Sequence, residues 1–293
     1  MSQAPPFERH EECFVDAGPY RTRYIEAGEA GRPAVVLVHD GAFGTDAELC
    51  WGDVIDALSS EFHVFAPELL GWGGTDKVVD FARSRYEIQI AHLANFVTAV
   101  GLDDGAHLVG ASFGGSVVVR AAAAASASPL RMLSAVSISG TGGPFRRYEA
   151  VQRLGDYTPS LEAAREISRL LTDPARPTEE HVRRRYENSL IHGHWEALKA
   201  GQLRNPARTS RRDPSTPPTA RFPEVLGRAE VPVLLVEGTR DPINEAGWSR
   251  KLRACCPRAE VVEMDSGHSP NLDRPAEVAA MISKFVTRVH PSL

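Results

Sequence analysis

The chain has 293 residues, 42% of them hydrophobic and 24% charged, and its 33 Lys+Arg against 38 Asp+Glu leave a formal charge of −5. That profile belongs to a folded globular protein long enough to bury a sizeable core, either one large domain or a domain with an insertion. It excludes a nucleic-acid binder held mainly by phosphate contacts, a disulfide scaffold and a membrane span, because the balance is mildly acidic, Cys13, Cys50, Cys255 and Cys256 have no framework spacing, and no apolar run nears ~20 residues.

Taken in chain order, short β-branched runs alternate with helical patterns, as in a mainly parallel sheet covered by helices on both faces. Tyr20–Ala27 reads as an early strand, and the continuous apolar run Ala34–His39 as a strand buried on both faces. A Gly-containing loop, a helix near Gly52–Ser60, the strand His63–Pro67 and the glycine-rich loop Leu70–Lys77 follow. Helical spacing then marks Tyr86–Val100, a buried strand marks Ala106–Gly110, a small-residue helix marks Phe113–Ala125, and another strand marks Met132–Ser139. From Pro144 to Phe222 the texture turns helical and arginine-rich, with a Pro/Ser/Thr stretch at Asn205–Thr219 that is not regular structure. The strand–helix rhythm resumes with VPVLLVEG from Val231, a helix near Glu245–Ala254, the strand Ala259–Glu263 and a last helix at Ala276–Val289. The expected domains are therefore an α/β core over 1–143 and 223–293 and a helical cap over 144–222.

Gly110-Ala111-Ser112-Phe113-Gly114 falls between a buried strand and a helix. A G-x-S-x-G in that context is a nucleophile elbow, in which small neighbours allow a turn tight enough to expose the serine. The string alone also fits a structural turn, or a phosphate loop, although it lacks the Lys-Ser/Thr ending of the latter. Ser112 needs a base and an orienting acid. His268 lies in the turn after the last strand, and Asp241 in the loop after VPVLLVEG. Both sit beyond strand carboxyl ends, where open α/β sheets bind ligands, and the order Ser–Asp–His is the one expected on this architecture. Taken singly, His268 reads equally as a solvated loop residue and Asp241 as a helix cap. The expected oxyanion donors are the Phe113 N–H and the N–H of Gly41, in the loop His39–Gly44. His39 itself reads as a hydrogen-bonding residue at a strand end.

With these residues in place, the chain resembles the α/β-hydrolase fold superfamily over nearly its whole length. More closely, it is similar to the meta-cleavage product hydrolases, which cleave a carbon–carbon bond in vinylogous 1,5-diketone acids produced by aromatic ring fission. YIEAGEAGRPAVVLVHDGAFG, LCWGDVIDAL, PELLGWGGTDK and HLVGASFGG carry the resemblance. RRRYENSL resembles the family segment whose arginine binds the substrate carboxylate or enolate, which makes Arg185 that candidate; Ala42 and Ser269 are its expected neighbours in substrate binding. The chain departs from the family at Ala111, at Cys50 and at Ser269, where the family usually carries Asn, Asn and Trp, and its oxyanion loop is HDGAFG rather than a run of glycines.

Residues 144–222 hold 14 Arg and Lys199 against 10 Asp+Glu, so a basic lid faces an acidic core. Such a lid attracts an anionic substrate, although most surface arginines are merely solvated. His192-x-His194 does not read as a metal site, because i,i+2 residues on a helix diverge. The expected function is thus a cofactor-free, metal-free serine hydrolase acting on a small, partly hydrophobic, acidic molecule, by resemblance a carbon–carbon bond hydrolase of aromatic catabolism. The alternatives are a carboxylesterase or lactonase with the same triad, or a ligand receptor that keeps the fold without turnover. Epoxide hydrolases and haloalkane dehalogenases are disfavoured, since they use a carboxylate nucleophile where this chain has Ser112. The opening residues carry neither the basic nor the apolar segment of a secretory signal, so a cytoplasmic setting is expected, with no nucleic-acid or membrane partner and a homodimer as the default assembly.

Overall fold

The computed structural model describes residues 9–124, 130–174, 176–203 and 221–290. Eight strands form one sheet in the order β1-β2-β4-β3-β5-β6-β7-β8. They are β1 Glu12–Ala17, β2 Tyr20–Ala27, β3 Ala34–Val38, β4 His63–Pro67, β5 Ala106–Ala111, β6 Met132–Ile138, β7 Val233–Gly238 and β8 Glu260–Met264. The β1–β2 hairpin joins β4 antiparallel, and from β4 to β8 every pairing is parallel.

Alternation along the strands explains the two cores. Val35, Leu37, Val109, Val136 and Val236 face one side, where α1 (Ala47–Leu58) and α10 (Pro275–Val289) cover them with Trp51, Ile55, Ile282 and Phe285. Val36, Val38, Leu108, Ala135 and Leu235 face the other, against α2 (Arg85–Ala99), α3 (Phe113–Ala123) and α8 (Trp248–Cys255). Strands buried on both faces read as unbroken apolar runs, which is why AVVLV and VLLVEG are recognisable in the sequence. Each fully buried Val, Leu or Ile contributes roughly 1.5–3 kcal/mol of transfer free energy.

The helix ends differ from expectation for local reasons. Helix α1 starts at Ala47 because the Asp46 carboxylate accepts the Leu49 N–H at 2.6 Å, and α8 starts at Trp248 after Gly247, whose φ is 72°. The Ser84/Glu87 capping box fixes the start of α2 at Arg85. The expected end of α3 at Ala125 and the stretch Asn205–Thr219 lie outside the described residues. Among the described residues between β6 and β7 stand four α-helices: α4 Tyr148–Gly155, α5 Leu161–Leu171, α6 Glu179–Ser189 and α7 His194–Ala200. Leu171, Val182 and Leu198 join the apolar cluster of the α2/α3 face, so this helical segment lies over the sheet edge where β3 and β5 end. A single helical turn, α9 (Pro270–Asp273), precedes α10. Among the described residues no helix is long and apolar enough to cross a membrane.

Candidate active site

Ser112 joins β5 to α3 with φ 50° and ψ −109°, a conformation that L-residues rarely adopt. The glycines around it make that turn possible. A Cβ at Gly110 would run into the Gly114 backbone, and one at Gly114 would run into the carbonyls of Val38 and His39. The spacing of G-x-S-x-G therefore records two close backbone approaches, one inside the elbow and one to the end of β3. The Ser112 N–H donates to the Ile138 carbonyl at 2.7 Å, and Ser116 Oγ donates to the Ser112 carbonyl at 3.0 Å, so β6 and the first turn of α3 hold the strained residue.

The Ser112 hydroxyl lies 2.8 Å from Nε2 of His268, and Nδ1 of His268 lies 2.8 Å from Oδ2 of Asp241. His268 is 2% exposed and Asp241 8%. Burial alone would raise the Asp241 pKa, but His268 and the N–H groups of Ile243 (2.7 Å) and Asn244 (3.1 Å) outweigh it and hold the carboxyl below its ordinary value. Asn244 is a residue that sequence reasoning missed. Its Nδ2 donates to Asp241 Oδ2 and to the Ser139 carbonyl, both at 2.9 Å, tying the acid loop to β6. The available signal was the Asp-Pro-Ile-Asn spacing, in which a carboxylate turns back on N–H groups two and three residues ahead. The His268 loop is braced by the buried Asp273, whose carboxylate accepts the N–H groups of Gly267 (2.8 Å) and Asp173 (2.9 Å).

Opposite Ser112, the loop after β3 meets the elbow so closely that a Cβ on Gly41 would lie 2.6 Å from Cβ of Phe113. Asp40 shapes this loop: its carboxylate accepts the Ala42 N–H at 2.8 Å and the Thr45 hydroxyl at 3.1 Å. The Ala42 N–H is thus occupied, whereas among the described residues the N–H groups of Gly41 and Phe113 have no partner. His39 accepts the Leu69 N–H on Nε2 at 2.9 Å, so Nδ1 is its donor, 2.6 Å from the Asp40 carbonyl. It serves the strand end as expected.

A cavity of about 380 Å³ opens over Ser112, lined by Gly41, Ala42, Phe43, Phe113, Val151, Leu154, Leu171 and Leu198, with Asp40, Asp156, Arg85 and Arg146 as its charged members. Ala42 thus reaches the cavity, but Ser269 and Arg185 are not among its lining residues. Ser269 is 4% exposed and starts α9, accepting the Leu272 and Asp273 N–H groups on its carbonyl, both at 2.9 Å. Arg185 is 0% exposed. Its guanidinium donates to the Phe43 carbonyl at 3.0 Å and to Ser168 Oγ at 3.1 Å, binding α6 to α5 and to the loop after β3. Cys50 is buried beside Asp40, and burial first, then that carboxylate, push its thiol pKa well up. His192 and His194 diverge. His192 is exposed, whereas buried His194 accepts the Gly44 N–H at 2.9 Å and donates to the Gly71 carbonyl at 3.1 Å.

A strained serine at a strand–helix turn, linked to a buried histidine and aspartate at the carboxyl edge of a parallel sheet, is the arrangement used by nucleophile-elbow hydrolases. The chain belongs to the alpha/beta hydrolase family, which its residues 35–281 match. It is 26% identical over 281 residues to a 2-hydroxymuconate semialdehyde hydrolase of Pseudomonas sp., covering 93% of this chain and 92% of that protein. A 2-hydroxy-6-oxo-6-(2'-aminophenyl)hexa-2,4-dienoic acid hydrolase of Metapseudomonas resinovorans is 40% identical over 106 residues, 36% of this chain and only 35% of that protein's length. Among solved structures, the 2-hydroxy-6-oxo-6-phenylhexa-2,4-dienoate hydrolase of Rhodococcus sp. superposes with a TM-score of 0.80 at 23% identity, covering 95% of this chain and 99% of the other. The chain is accordingly a hydrolase with the α/β-hydrolase fold, similar to carbon–carbon bond hydrolases of aromatic catabolism.

Proposed function

We propose that this hydrolase works without a cofactor through the nucleophile Ser112, the general base His268 and the orienting carboxylate Asp241, with residues 144–222 as its lid. The observation that carries the reading is the unbroken hydrogen-bond chain from Ser112 Oγ through both His268 nitrogens to Asp241, each link 2.8 Å long. His268 takes the Ser112 proton on Nε2 as Oγ attacks a carbonyl carbon. Asp241 fixes the tautomer and stabilises the imidazolium. The N–H groups of Phe113 and Gly41 receive the oxyanion, aided by the positive end of α3. Collapse of the tetrahedral intermediate breaks the bond to the leaving group, which takes the proton back from His268. Water, activated by the same imidazole, then releases the acyl group.

For a ring-fission product the leaving group is carbon. Ketonisation before attack moves the enol proton to carbon and creates a ketone conjugated with an alkene, so the departing carbanion is delocalised through the alkene into that ketone as a dienolate. The likeness to carbon–carbon hydrolases, with the matching loop and elbow segments, supports this substrate class. Ala111, Cys50 and Ser269, in place of the polar and aromatic residues usual in that family, favour the second reading, a carboxylesterase or lactonase acting through the same triad. Ser112→Ala tests the chemistry: turnover falls at least about 10⁴-fold while the melting temperature holds, and unchanged turnover would falsify the nucleophile. Comparing a ring-fission dienoate with p-nitrophenyl esters on the wild type separates the two readings, since a carbon–carbon hydrolase prefers the dienoate in kcat/KM.

A further inference from the structure

The arginines near the site fall into two kinds. Arg184 and Arg185 are buried, and their guanidinium groups are taken by Asp46 and by Phe43 O and Ser168 Oγ. Arg85 and Arg146 line the Ser112 cavity, and among the described residues neither guanidinium has a carboxylate, carbonyl or hydroxyl partner. Arg85 is the first residue of α2, set by the capping box, and its guanidinium stands 4.9 Å from the centre of the Phe113 ring. Arg146 is fixed from the other side: its backbone bridges to Asn244, the residue that holds Asp241. Much of Arg85 is exposed and Arg146 is half-buried, and the crowding of protein around the Arg85 guanidinium, then the charge of Arg146, lower the Arg85 pKa. Of the cavity's two acids, Asp40 is occupied with Ala42 and Thr45, and Asp156 stands exposed beyond the end of α4.

Two like charges lining one cavity, neither of them bonded to a carboxylate there, repel each other, and an anion bound between them relieves that repulsion. The rest of the wall combines apolar Val151, Leu154, Leu171 and Leu198 with the amides of Gln152 and Gln202. We propose that Arg85 and Arg146 together form the seat for the substrate's carboxylate, so that the enzyme takes carboxylic acids with an apolar body, the acid group on the α2 side of the cavity and the scissile carbonyl at Ser112. Orientation toward Ser112 rests on the nucleophile reading above; the seat itself does not. Arg185, the clamp implied by family resemblance, instead holds the oxyanion loop from behind.

The test separates the two. Titration of phenylacetate, with phenylacetamide as the neutral control, reads the seat without chemistry. Wild type binds the acid at least about 10-fold more tightly than the amide, and Arg85→Gln with Arg146→Gln together abolish that preference. The single lysine variants retain part of it, which reads charge rather than folding. For turnover, mono-p-nitrophenyl adipate is compared with p-nitrophenyl butyrate, and the ratio of their kcat/KM values falls about 100-fold in the double glutamine variant. An unchanged acid preference in that variant, or its loss in Arg185→Gln alone, overturns the seat. Absence of cleavage of either ester with binding intact counts against the nucleophile reading only.

Discussion

The sheet and the helical segment that covers it meet at the same cavity but are secured by different forces. Ser112, Asp241 and His268 stand on loops that leave apolar strands, and the strands fix them through backbone hydrogen bonds and dense packing on two faces. Helices α6 and α7 are docked by polar pegs. Arg184 reaches Asp46 at 2.9 Å, Asn188 reaches the same carboxylate at 2.7 Å, Arg185 holds the Phe43 carbonyl, and His194 spans Gly44 and Gly71. Apolar packing tolerates sliding and repacking, whereas a directional bond to a buried carboxylate specifies one register. The half that carries Ser112, Asp241 and His268 is therefore set by strand geometry, and the half that carries α6 and α7 by charge and hydrogen bonding added to the apolar contacts of Val182 and Leu198, and the two should fail under different insults.

The largest effect is expected where a peg is cut. Asp46 is buried, and burial opposes its ionisation, yet Arg184, the Leu49 N–H and Arg23 hold its carboxyl below the usual range. Arg184→Ala strands that charge and should cost about 3 kcal/mol in urea unfolding. A loss under 1 kcal/mol would mean that apolar contacts alone dock the helices. Acid should act next. Burial lowers His194 to about 4 and His107 to about 4, and His92 and His181 to about 3, so all four are neutral in the fold at neutral pH. The unfolded chain protonates them near 6.5, so it binds more protons than the folded chain between that value and the depressed one. Stability is complete above pH 6.5 and declines as pH falls toward 4. For His194, protonation also removes the acceptor of the Gly44 N–H, and His194→Gln should flatten the decline by roughly 2 kcal/mol between pH 6.5 and 4. A slope identical to wild type would remove the histidine from this role. The smallest effect lies on the catalytic side. Asn244→Ala leaves one Asp241 oxygen with a bond fewer and should lower kcat about 10-fold with little change in melting temperature. Loss of stability without loss of turnover would make Asn244 a scaffold residue only.

The sequence revealed these two halves unequally. The parallel strands were visible because burial on both faces forces unbroken β-branched runs, and the hydrogen-bonded set Ser112, His268 and Asp241 because backbone crowding constrains the elbow glycines while the turn chemistry marks the loops of Asp241 and His268. Strand β1 escaped notice: it is an edge strand whose ECFVDA mixes exposed and half-buried residues, the polar dressing that keeps an edge from pairing. Helix α9 is one turn long, too short to show a period. Arg85 and Arg146 could not be singled out, because what distinguishes them from Arg184 and Arg185 is the lack, among the described residues, of a hydrogen-bonding partner, which only three-dimensional placement reveals. The resemblance pointed to Arg185 by motif, and its surroundings turn that guanidinium inward.

Gly44 joins the two halves most tightly: its φ is 70°, its N–H goes to His194, its carbonyl accepts from Asn188 at 3.2 Å, and a Cβ there would collide with the Arg185 carbonyl. For anyone reshaping the pocket toward new substrates, this divides the wall into two kinds of position. Val151 and Leu154 line the cavity, are only half-buried and are open to libraries. At Gly44 the backbone itself is the joint, and any side chain there would wedge α6 from the loop after β3 before it met a substrate.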